Sequence, residues 1–217
     1  MNGKKIIALI ALIIIIDQAI KFYIKLNYFI GEEHLMLGTW ARLHFVENEG
    51  MAWGLKFGGD FGKIALTLFR LVAVIWGAFL IKGFIAKKYH NGFIICAALI
   101  FAGAVGNLID SLFYGMIFEQ SVSYTTQVAV FMPKAGGYAP FLHGKVVDML
   151  YFPIIETHYP SWFPFWANQP FVFFQPVFNL ADMAISIGVI GILLYQKRYF
   201  KEKPIVESQP QSEMTEE

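Results

Sequence analysis

Five ionisable side chains stand in stretches otherwise too apolar for them: Asp17, Lys21, Arg70, Asp110 and Asp182. A charge inside a bilayer costs roughly 2.5–3.5 kcal/mol on insertion scales, so each demands a reason. At helical rise, Asp17 lies about 16 Å beyond Ile6, past the midplane of a membrane. Asp182 sits roughly 8 Å into its own apolar run by the same measure, and Asp110 closes another. Three carboxylates from three helices therefore converge in one half of the membrane. Spacing sharpens this: Gly103, Asn107 and Asp110 share one helical face, as do Asn179, Asp182 and Ser186. Such carboxylates can share one proton and perform acid–base chemistry on water. They can equally form a proton or cation path in a transporter.

Asp17 and Lys21, one turn apart, suit an intrahelical bridge as well as a site role. Arg70 reads as an interfacial residue that snorkels. Asp182 has no cation within a turn on its own helix and needs a partner from elsewhere. Other chemistries find little support. His34, His44, His90, His143 and His158 are scattered without an H-E-x-x-H pattern, and no G-x-S-x-G surrounds a serine.

The elements that must position these groups are membrane spans. Of 217 residues, 57% are apolar and 15% charged, with mean hydropathy +0.53, which is improbable for a water-soluble globule. The net charge of +1 argues against nucleic acid as a partner. Spans are expected at about 6–23, 64–85, 93–109 and 177–195, within one domain over 1–203. Lys4 and Lys5, then Lys82, Lys87 and Lys88, then Lys197, Arg198, Lys201 and Lys203 fall on one side of these spans. The positive-inside rule makes that side the cytoplasm and places both termini there. The polar stretch 204–217 reads as a disordered cytoplasmic tail. No internal repeat supports an inverted-repeat transporter.

Trp40–Val46 alternates like a short strand, Glu47–Gly54 reads as a turn followed by a hairpin partner, and Lys145–Phe152 as one more strand. Tyr159, Trp162, Phe163, Phe165 and Trp166 crowd among prolines, which suits the outer membrane–water interface; a packed external loop is the plainer reading.

In order along the chain, the polar islands are DQAIK (Asp17–Lys21), NEGMAWG (Asn48–Gly54), GAVGNLID (Gly103–Asp110), VVDM (Val146–Met149) and FNLAD (Phe178–Asp182). Together they resemble bacterial lipoprotein signal peptidase (signal peptidase II), an aspartic membrane peptidase family. The resemblance implies an all-α membrane protein with four transmembrane helices, a small external β-cradle, and aromatic-rich insertions on the outer membrane surface. It implies that Asp148 and Asp182 are the catalytic pair; hydropathy alone does not select Asp148, which stands in a polar external segment. It casts Asp17, Lys21, Asn48, Gly50, Asn107, Asp110 and Asn179 as supports that orient the pair and bind substrate. No metal or organic cofactor is implied. The expected substrate is a prolipoprotein carrying a diacylglyceryl cysteine. The expected setting is the phospholipid of the bacterial inner membrane, the protein monomeric and its site toward the outer leaflet. A proton-coupled transporter or an inactive relative is the alternative.

Three departures stand out. Ser111 follows Asp110 where this family usually has arginine, so a nearby cation is missing or comes from Lys145 or Lys21. The stretches around 116–143 and 153–175 are longer than usual, and these insertions are expected to enlarge a lid over the lipid groove.

Overall fold

The computed structural model describes residues 2–49, 59–122 and 127–200. Among the described residues, four helices are long and apolar enough to cross a membrane. α1 spans Gly3–Asn27, capped by the Asn2 side chain, which accepts from Lys4 N–H. α2 spans Gly59–Ala86 and α3 spans Asn91–Ile109, the latter capped by His90. α3 runs on through a π-helical turn, Asp110–Tyr114, into a last short turn, α4 (Gly115–Ile117). α5 spans Leu180–Tyr199. The β-branched runs of α1 are no obstacle to a helix here, because only a helix satisfies every backbone polar group within one apolar segment.

α3 is the central helix. Half of its most apolar window is buried, against 11–17% in the other three, whose apolar faces remain outward. Contact between α3 and α5 is close because glycines line it: a Cβ on Gly103 would stand 2.2 Å from the Ala181 carbonyl oxygen, and one on Gly188 2.5 Å from that of Cys96. One end of the bundle gathers Ile6, Ile81, Ile94 and Ala98, from the start of α1, the end of α2 and the start of α3. The His90 and Tyr199 rings, 5.0 Å apart, bring the end of α5 to the same place. Lys4, Lys5, Lys87, Lys88 and Arg198 therefore share one end, as their spacing in sequence predicts.

At the opposite end lies an antiparallel sheet in the order β1 (Glu33–Leu37), β2 (Ala41–Asn48), β3 (Val146–Tyr151) and β6 (Val177–Phe178). A separate hairpin pairs β4 (Ile155–His158) with β5 (Pro170–Phe173). The expected strands at 40–46 and 145–152 are present. The hairpin, however, joins β2 to the preceding β1, and Glu47 and Asn48 belong to the strand, not to a turn; residues 50–54 of the expected return lie outside the described residues, as does the 204–217 tail.

One further expectation is corrected. The fourth helix starts at Leu180 rather than Val177, because Val177–Phe178 pair with β3 before Asn179 caps the helix. Asp182 is thus in the first turn of α5, closer to its end than apolar run length suggests. Phe118 is wholly buried with Ile24, Phe45, Tyr114, Val147 and Met149, so the first insertion is anchored in the core where it leaves α4.

Candidate active site

The sheet and the helix ends meet at Asp148. Alternation along β3 sends Val147 and Met149 into the apolar cluster and Asp148 to the other face. Asp148 is 3% exposed and pairs across the ladder with Val46. Its carboxylate accepts from Asn179 Nδ2 at 2.7 Å and interacts with the Asn48 side chain. Burial, and then the charge of Asp182, push its pKa up to about 7, against the opposing pull of Lys21 and the two asparagines. Asp148 thus feels the charge of Asp182.

Asn179 holds the arrangement. Its side-chain oxygen accepts from Asp182 N–H at 2.9 Å, and its backbone N–H donates to Asp182 Oδ2 at 3.3 Å, a reciprocal capping box. Its amide nitrogen also stands 3.0 Å from Asn107 Oδ1 and 3.3 Å from the Val147 oxygen, so two hydrogens serve three acceptors. Asn107 completes the link, donating to Asp182 Oδ1 at 2.7 Å. The partner Asp182 required is an amide from α3.

Beneath the pair lies a buried ionic cluster. Lys21 Nζ stands 3.0 Å from Asp17, 2.7 Å from Asp110 and 2.9 Å from Asn107 Oδ1. Asp17 accepts from Ala181 N–H at 2.9 Å, and Asp110 from Gln18 Nε2 at 2.9 Å and Val147 N–H at 3.4 Å. Asp17–Lys21 is therefore both an intrahelical bridge and a tie between α1, α3, α5 and β3. Gln18, which also accepts from the Tyr114 hydroxyl at 3.1 Å, was not singled out by spacing, though it stands inside the DQAIK island.

The structure brings together Asp17, Lys21, Asn48, Asn107, Asp110, Asp148, Asn179 and Asp182; Gly50 lies outside the described residues. Lys21 does act on Asp148, whereas Lys145 turns away to Glu47, 4.0 Å off, in a neighbouring network with Lys25 and Ser121. Arg70 does not snorkel free of the site. Its Nη1 donates to Ser111 Oγ at 3.2 Å.

The fold and this site define a multi-pass membrane protein with its polar chemistry gathered where the helices meet a small antiparallel sheet. The family model for Signal peptidase (SPase) II matches residues 9–198. The chain is 46% identical over 198 residues to a lipoprotein signal peptidase of Porphyromonas gingivalis, covering 91% of this chain and 84% of that one. It is 34% identical over 209 residues to a lipoprotein signal peptidase of Amoebophilus asiaticus, covering 92% and 79%. A solved bacterial membrane enzyme shares the fold, with a TM-score of 0.57 at 23% identity over 94% of this chain and 96% of that one. The chain belongs to the signal peptidase II family and is a peptidase of the bacterial membrane. A transporter is thereby set aside.

Proposed function

We propose that the protein is an aspartic endopeptidase that removes the signal peptide from diacylglyceryl-modified prolipoproteins, cutting just before the lipidated cysteine. The observation that carries this reading is the Asn179 bridge, which holds Asp148 and Asp182 side by side where β3 meets α5.

Two adjacent carboxylates resist joint ionisation, so the pair keeps one proton. The more buried Asp148 holds that proton at rest. The Asp182 carboxylate accepts from Asn107 and from the Asn179 N–H at the start of α5. The ionised carboxylate takes a proton from water as its oxygen attacks the scissile carbonyl. The protonated one donates to the carbonyl oxygen, and a proton then passes to the departing amine as the C–N bond breaks. Asn48, Asn107 and Asn179 orient the pair, and Asp17, Lys21 and Asp110 fix the helices that carry it.

Residues 1–203 act as one membrane domain with both termini in the cytoplasm, which the shared basic end of the bundle supports. The site then faces the outer leaflet, where the substrate's acyl chains stay in phospholipid while its peptide bond meets the pair. Trp162 and Phe165, 77% and 91% exposed on the β4–β5 loop, suit contact with that leaflet. The purified protein should cut a diacylglyceryl-modified precursor on the N-terminal side of its modified cysteine, as read by product mass, and leave the unmodified precursor intact. Binding of the modified precursor without a cut marks an inactive relative.

A further inference from the structure

Lys21 is committed: Asp17 and Asp110 contact its ammonium at 3.0 and 2.7 Å, so one buried cation already faces two carboxylates before Asp148 and Asp182 are counted. Such a gathering needs a second cation, since unpaired charge in low dielectric is costly. Arg70, half-buried on α2, is aimed at it. Its guanidinium experiences the attraction of Asp182 first, then Asp110, then Asp148. The contact that steadies it is Ser111 Oγ at 3.2 Å, and that hydroxyl donates in turn to the Asn107 carbonyl oxygen at 3.0 Å. Asn107 is the residue whose amide holds Asp182. A path of polar contacts thus runs from α2 through the π-helical turn to the carboxylate of α5.

We propose that Arg70 is a positioning residue for the reaction: a fixed positive charge, delivered from α2 and steadied by Ser111, that holds the Asp148–Asp182 pair in its singly protonated state. The proposal rests on the assignment of that pair as the catalytic one. Arginine suits the task because its charge does not titrate and its planar fork can be fixed by one hydroxyl. The other charged groups around it are Lys21 and Asp17 from α1, Asp110 from the π-helical turn, and Lys63 from α2 itself. Lys63 donates to the Glu49 carbonyl oxygen at 2.7 Å. Glu49 also attracts Lys63, while Lys145 repels it.

The test is the pH profile of precursor cleavage by full-length protein in detergent, for wild type, Arg70→Gln, Arg70→Lys and Ser111→Ala. Loss of a cation favours the protonated carboxyls, so in Arg70→Gln both limbs should move to higher pH by about one unit. Its kcat should fall while KM stays near wild type. Arg70→Lys keeps the charge and should keep the wild-type limbs at a lower rate. Unmoved limbs in folded Arg70→Gln overturn the proposal, as does an equal loss with unmoved limbs in Arg70→Gln and Arg70→Lys. If Arg70→Gln does not fold, Ser111→Ala decides: its limbs should move upward by a smaller amount, and unmoved limbs overturn the proposal. Asp182→Asn separates the two levels. If it cuts like wild type, the assignment of the pair has failed; if it is silent while the Arg70 profiles stay unmoved, only the role of Arg70 has.

Discussion

Asn179 Nδ2 lies 2.7 Å from Asp148 Oδ1, so the residue that starts α5 also fixes the carboxylate of β3. Cap and site are one device. Whatever sets the first turn of α5 sets the distance between the two carboxylates, because Asp182 is the third residue of that same cap.

Asn179 variants should separate those two duties. Asn179→Ala removes the cap and the bridge, costing about 1–2 kcal/mol in stability and most of the activity. Asn179→Ser retains a capping oxygen but no amide donor. It should unfold near wild type on heating, yet cleave far more slowly. Equal activity in Asn179→Ser and wild type would show that the bridge to Asp148 is dispensable.

The alkaline limb of the cleavage profile should fall near pH 7. Burial and the neighbouring charge hold the Asp148 pKa up at about 7, so the last proton of the pair is present below that pH and lost above it. Above the limb, kcat/KM should fall about tenfold per pH unit. A flat profile from pH 6 to 9 would contradict this.

The same raised pKa makes a stability prediction with opposite consequences for the variant. A group whose folded value exceeds its unfolded value contributes stability that is present below the unfolded value and lost as pH rises to the folded one. For Asp148 that window runs from about 4, the ordinary value of an aspartate, to about 7. Asp148→Asn should therefore be more heat-stable than wild type at pH 8 and lose that advantage toward pH 4, measured by thermal unfolding in detergent. Function is kept here at a cost in stability.

Gly103→Ala tests the contact between α3 and α5. Its methyl would meet the Ala181 carbonyl oxygen at 2.2 Å, and backbone cannot step aside as a flexible side chain can. The helices must separate, costing about 1–3 kcal/mol, and Asp182 moves with α5. Activity should fall more than tenfold even at temperatures where the variant is folded.

Lys21→Met leaves Asp17 and Asp110 buried without their cation. A loss of about 3–5 kcal/mol is expected, read as a fall in the midpoint of thermal unfolding. Adding Asp110→Asn should recover part of it, since the orphaned charge is then removed. Failure of the second change to recover stability would mean that the cluster is held by something other than this pairing.

Much of this was legible in sequence because hydropathy and spacing report directly on helices in lipid. The four spans, the one-sided basic residues, and the convergence of Asp17, Asp110 and Asp182 all follow from that. The start of α5 was not legible by apolar run length, because Val177 and Phe178 are as apolar as a helix but are claimed by β3. The cap at Asn179 was the better signal. Asp148 carries no hydropathy signal at all: a short, mostly apolar strand puts it at the site through its register, and only resemblance to a family picked it out. Arg70 misled for a related reason, since its environment is made by Ser111, a residue distant in sequence. Pairings of that kind belong to tertiary structure and leave no periodic trace.

The most direct test of the central claim is cleavage of a purified diacylglyceryl-modified precursor by wild type, Asp148→Asn and Asp182→Asn, each first shown to fold. The account predicts a cut just before the modified cysteine by wild type and a loss of at least a thousandfold in each variant, the scale on which removing a catalytic acid or base acts. Wild-type cleavage by either variant would contradict it.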